Sequence, residues 1–149
     1  MYKYRVPGPL LDGNDTIRVL VVEDFPPFLR FISSILSRNS DLEIVGEVSD
    51  GLEAIQKMEE LKPNLVLLDI GLPRQNGIEV ARRIRSLSPE SKIIFVSQES
   101  SPDVVQEALN LGAWGYVLKM SAAKDLLRAI EAVLEGKQFV SAELRQGFE

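Results

Sequence analysis

Short apolar runs alternate with stretches of helical spacing, and no other feature of this sequence limits its folding so sharply. The runs are Ile17–Val22 (IRVLVV), Leu42–Val48 (LEIVGEV), Leu65–Leu68 (LVLL), Lys92–Ser97 (KIIFVS) and Trp114–Leu118 (WGYVL). Most are short and continuously apolar, which suits strands covered on both faces; the second alternates as a half-buried strand does. Between and after them, apolar residues recur at helical spacing: Phe28, Ile32 and Ile35; Ala54, Met58 and Leu61; Val80, Ile84 and Leu87; Val104, Ala108 and Leu111; Leu126, Ile130 and Val133. The punctuation agrees. Pro26-Pro27 suits a first helical turn, Asp50 with Glu53 resembles a capping box, and Pro63, Pro89, Gly112 and Gly136 fall where helices should stop. Five strands alternating with five helices predict an α/β domain: a five-stranded parallel sheet with helices on both faces.

Composition removes several classes of chemistry. The 149 residues include no cysteine and no histidine. Disulfides, thiolate or imidazole metal sites, cysteine nucleophiles and Ser-His-Asp catalysis are therefore excluded. Net charge is −5, against the basic excess usual in nucleic-acid binders. Arg82, Arg83 and Arg85 are interleaved with apolar positions and read as a solvated helix face. No apolar run is long enough to span a bilayer, so no membrane contact is expected, and the first residues lack the order of a signal peptide. Residues 1–15 read as a flexible N-terminal extension, 16–136 as one domain, and 137–149 as too short for another.

In open α/β sheets, ligands bind beyond the carboxyl ends of the strands, near the switch in strand order. Glu23 and Asp24 follow the first run, Asp69 the third, and Lys119 the fifth, while Ser97 ends the fourth. Singly, each has an ordinary explanation as a turn, cap or surface residue. With strands in the order 2-1-3-4-5, the first and third are neighbours and three carboxylates converge. At about 4 Å, two like charges repel by roughly 4 kcal/mol at an effective dielectric near 20. Protons or a cation must offset this, and carboxylates with backbone carbonyls and water suit Mg2+. Lys119 adds a second positive charge. The set suits a phosphoryl group: Asp69 as nucleophile, Lys119 and the metal against its oxygens, and Ser97 as hydrogen-bond donor. Gly71 leaves the backbone free to approach the metal with its carbonyl.

VVEDFPPFLR, DGLEAI, PNLVLLDIGLPRQNGIEV, IIFVS and ALNLGAWGYVLK together resemble the receiver domain of two-component response regulators, over about Ile17 to Gly136. FPPFLR, ALNLGAWGYVLK and the tail FVSAEL are most similar to the NarL/FixJ (LuxR-type) transcriptional regulators. The resemblance implies a flavodoxin-like fold and a cytoplasmic signalling switch, not an enzyme. It implies that Asp69 accepts phosphate from a sensor histidine kinase, with Mg2+ held by Glu23, Asp24, Asp69 and the Gly71 carbonyl. Ser97 and Tyr116 would form the switch, and Trp114 would serve in packing or partner contact. Residues 137–149 would begin a linker to a C-terminal DNA-binding domain outside this chain. This chain itself would not touch nucleic acid, and two copies would pair on phosphorylation.

Two positions depart from the family's pattern. Gln98 stands where many relatives carry a small residue, crowding the phosphate or its attacking water; Gly71, by contrast, leaves water free access. Met120 stands where many carry proline after the lysine, so the placement of Lys119 is open. Two other readings compete. A receiver-shaped interaction module, stand-alone or independent of phosphorylation, fits the same pattern. A flavodoxin-like flavin binder does not fit well, because Glu23 and Asp24 would repel the flavin phosphate and no P-loop is present.

Overall fold

A computed structural model describes residues 16–145. Strands β1 (Ile17–Val22), β2 (Leu42–Val48), β3 (Leu65–Leu68), β4 (Lys92–Ser97) and β5 (Gly115–Leu118) alternate with helices α1 (Pro26–Leu36), α2 (Gly51–Leu61), α3 (Gly77–Leu87), α4 (Pro102–Asn110) and α5 (Ala122–Leu134). The expected local signals operate. Pro26 and Pro27 occupy the first turn of α1. Asp50 caps α2 by accepting from the Glu53 N–H at 2.9 Å, while Glu53 accepts from the Ser49 N–H at 3.3 Å. Asn76 caps α3 through the Ile78 N–H at 2.7 Å.

The sheet is parallel throughout, but it has six strands, in the order β2-β1-β3-β4-β5-β6, not the expected five. The sixth, β6 (Phe139–Val140), lies beside β5 and leads into a short sixth helix, α6 (Ala142–Arg145). Two residues carry no readable period, so the sequence pattern does not reveal them as a strand. Backbone bonds hold them: Phe139 N–H to Trp114 O and Ser141 N–H to Tyr116 O, both 3.0 Å. The segment expected to begin a linker thus packs onto the sheet as far as residue 145. The extension predicted over residues 1–15, and residues 146–149, lie outside the described residues.

Strand alternation splits the core in two. Leu20, Val22, Val66, Leu68, Ile93, Phe95, Tyr116 and Leu118 face α2, α3 and α4. Val19, Val21, Leu65, Leu67, Ile94, Val96 and Val117 face α1 and α5. Every residue of β3 and β5 is buried, as two-sided coverage requires. Among the described residues, no helix is long and apolar enough to cross a membrane.

The β6–α6 segment is fastened by a polar clasp. Ser141, fully buried, donates to Asp125 Oδ2 at 2.8 Å and accepts from the Leu118 N–H at 3.1 Å. Asp125 sits in the first turn of α5 and is 2% exposed. Leu144 of α6 is buried in the same cluster as Tyr116 and Leu118. Ser141→Ala should therefore leave a buried carboxylate and a buried N–H short of a partner, costing about 1–3 kcal/mol. Lys124→Ala, which removes the exposed Lys124–Glu143 pair, should cost under about 1 kcal/mol. Denaturant unfolding of the two variants measures the difference.

Candidate functional site

The strand ends meet as alternation dictates. Glu23, Asp69 and Lys119 each continue the parity of the α1/α5 face, two residues past Val21, Leu67 and Val117. Ser97 continues the parity of Ile93 and Phe95, toward α4, and so shares its face with Tyr116. Carboxylate oxygens of Glu23, Asp24 and Asp69 all lie within 4.8 Å of one another. Lys119 reaches across the end of β4 and places Nζ 3.0 Å from Asp69 Oδ2 and 3.0 Å from Glu23. The predicted acidic group and its lysine are together.

Burial sets their electrostatics. Glu23 is 2% exposed and Asp69 6%, while Asp24 opens to solvent. Burial pushes the Glu23 carboxyl above its usual range; the Lys119 hydrogen bond opposes this, and the Asp69 charge adds to it. Burial also pulls on Lys119, downward, but hydrogen bonds to Glu23 and then Asp69 outweigh it and raise the ammonium. At 4.8 Å, a carboxylate pair repels by roughly 3 kcal/mol at an effective dielectric near 20. One ammonium does not balance three carboxylates, and an oxygen-only donor set of this kind fits Mg2+.

A pocket of about 400 Å³ opens above the acids, lined by Asp24, Asp69, Gly71, Ser97, Gln98 and Lys119, together with Phe25, Ile70 and Glu99. The Gly71 N–H donates to Asp69 Oδ1 at 3.2 Å. A Cβ at Gly71 would meet nothing within 4 Å, so the pocket is open on that side. Gly77 is the reverse case: a Cβ there would collide with the Asp69 carbonyl oxygen, so α3 can approach the Asp69–Ile70 backbone only with glycine at that point. Gln98 is exposed at the pocket rim. Met120 is 84% exposed and the described backbone holds no cis peptide, yet Lys119 still reaches both acids.

Ser97 and Tyr116 are linked through a residue the sequence reading passed over. The Glu99 N–H donates to Ser97 Oγ at 3.1 Å, and the Glu99 carbonyl accepts from the Tyr116 hydroxyl at 2.7 Å. Tyr116 is fully buried, its ring 5.9 Å from that of Phe95. Burial pushes the phenol up to about 12; the nearby Ser97 hydroxyl opposes this, and the Glu99 and Asp69 charges add to it. Glu99 acts here through its backbone, which side-chain identity does not announce. Trp114 lies away from the site, its ring 4.4 Å from Lys92 Nζ, and packs against the α1/α5 core.

Residues 19–131 match the family profile described as the response regulator receiver domain. The chain is 36% identical over 129 residues to response regulator protein VraR of Staphylococcus aureus, covering 87% of this chain and 62% of that protein's length. It superposes with a TM-score of 0.85 on a LuxR-family two-component response regulator from Aurantimonas sp. SI85-9A1, at 31% identity over 89% of this chain and 95% of the other. The receiver domain of RcsB from Salmonella enterica serovar Typhimurium, solved with the phosphomimetic BeF3−, gives 0.85 at 26% identity, covering 91% and 100%. The acids at the strand ends, the sheet order and these relatives agree: the chain belongs to the response regulator receiver domain family, among the NarL/LuxR-type regulators.

Proposed function

We propose that Asp69 is the phosphoacceptor of this receiver domain and that its phosphorylation drives a switch read by a DNA-binding output domain elsewhere in a longer protein. The observation that carries the reading is the cluster of three carboxylates at the strand ends, two of them paired with one lysine. The donor is a sensor histidine kinase: an Asp69 carboxylate oxygen attacks phosphorus as the bond to the kinase imidazole breaks. Lys119, held cationic, pairs with the oxygens on which charge develops. Glu23, Asp24, Asp69 and the Gly71 carbonyl would hold Mg2+, which when bound neutralises the phosphoryl oxygens. The Ser97 hydroxyl turns toward the phosphoryl group and away from the Glu99 N–H. That loosens the Glu99 segment, on which the Tyr116 hydroxyl also rests, and alters the α4–β5–α5 face.

The chain spans 62% of the length of its curated relative, which accommodates a further domain in the whole protein. In this reading residues 16–136 are the switch, and the chain from 137 leads toward the output domain. The protein works in the cytoplasm, pairs with a second copy when phosphorylated, and leaves DNA contact to the output domain. A phosphorylation-independent interaction module is the second reading; the intact acidic set disfavours it, because an unused site has no reason to hold three like charges.

Incubation with acetyl phosphate and Mg2+ should add one phosphoryl group to the intact mass, and Asp69→Asn or a chelator should abolish the gain. Gln98→Ala should speed loss of the phosphoryl group about threefold, a modest barrier change of under 1 kcal/mol, because the amide at the rim obstructs attacking water; unchanged decay in a phosphate-release assay would refute this. Tyr116 carries a pH signature. Its folded-state ionisation is raised, so the stability its neutral form contributes is complete below pH 10 and is lost as pH climbs to about 12. Tyr116→Phe should remove one ionisation near 12 from the ultraviolet titration.

A further inference from the structure

The Lys119 ammonium has three N–H donors, and Glu23 and Asp69 engage it at 3.0 Å each. Beside it lies the ring of Phe28, on α1, with Nζ 4.7 Å from the ring centroid. That distance is within cation–π range, and the attraction grows as water is excluded. The lysine side chain is only 13% exposed. Phe28 is itself held: it is half-buried against the α1/α5 core and its ring lies 5.6 Å from that of Phe31.

Lys119 needs such a contact. Its four-carbon stem is flexible, and Met120 after it is 84% exposed and offers the loop little packing. The two carboxylates that now hold the ammonium are the groups that would change partners when a metal and a phosphoryl group enter. Phe28 is absent from the lining of the pocket, and its packing against the α1/α5 core and Phe31 involves none of the groups that would change partners. We infer that Phe28 is a positioning residue for Lys119: its ring face holds the ammonium over the Asp69 pocket while the carboxylates change partners. The inference rests on the reading of Asp69 as phosphoacceptor.

Charge and shape at position 28 can be separated. Replacing Phe28 by a ring-trifluorinated phenylalanine keeps the shape and weakens the negative ring face, Phe28→Leu removes the ring, and Phe28→Tyr keeps it. Each protein is compared with wild type in its initial rate of phosphorylation by acetyl phosphate with Mg2+. In metal-free protein, proton exchange of the Lys119 ammonium is followed by NMR. The trifluorinated protein and Phe28→Leu should be phosphorylated about fivefold more slowly and exchange ammonium protons faster, whereas Phe28→Tyr should stay within about twofold of wild type. The thermal midpoint of the trifluorinated protein should not move. Equal rates and equal exchange in wild type and the trifluorinated protein would overturn the role of Phe28 alone. A wild type that takes up no phosphoryl group would overturn the phosphoacceptor reading, and with it any role for Phe28 in that reaction.

Discussion

Lys119 stands 3.0 Å from both Asp69 and Glu23, and without it two largely buried carboxylates would face each other where water screens them poorly. The rest of the site is arranged around that compensation. Asp24, exposed at the rim, adds a third negative charge that the lysine leaves uncompensated. The pocket is therefore electrostatically unfinished, which suits a domain that must gain and lose charge. A fully neutralised network would hold its shape more firmly and respond less to a phosphoryl group.

The sheet keeps the proposed acceptor group and the proposed switch pair on opposite sides. Glu23, Asp69 and Lys119 follow the parity of the α1/α5 face, where Phe28 meets the lysine. Ser97 and Tyr116 follow the parity of the α4 face, joined through the Glu99 backbone. The two sets meet only at the pocket, where Asp69, Lys119 and Ser97 line a common wall. Beyond Tyr116 and Leu118 comes the β6–α6 segment, whose Ser141 accepts the Leu118 N–H one residue before Lys119. The β6–α6 segment is thus hydrogen-bonded to the same strand that delivers the lysine.

Much of this was legible before any coordinates. The short apolar runs at Ile17–Val22, Leu65–Leu68 and Lys92–Ser97 are displayed by local sequence, and the carboxylates after the first two stand out because burial normally excludes them. β6 was not legible, since Phe139 and Val140 are held by the backbone of β5 and not by a pattern of their own. Glu99 was missed for a related reason: both of its bonds to Ser97 and Tyr116 use backbone atoms that every residue possesses. Asp125 was not legible either, because nothing local marks it as the buried partner of Ser141 sixteen positions away.

The sequence by itself determined the alternation of strands and helices, the acids and lysine after the strands, and the absence of thiol and imidazole chemistry, because composition and short-range periodicity are properties of neighbouring residues. Tertiary structure alone decided that Lys119 binds both Asp69 and Glu23, that Phe28 lies beside its ammonium, and that the chain after Gly136 returns as a sixth strand. Those contacts join residues from 24 positions apart (Gly115 to Phe139) to 96 apart (Glu23 to Lys119). Their energies depend on burial and on distance in space, and chain order encodes neither directly.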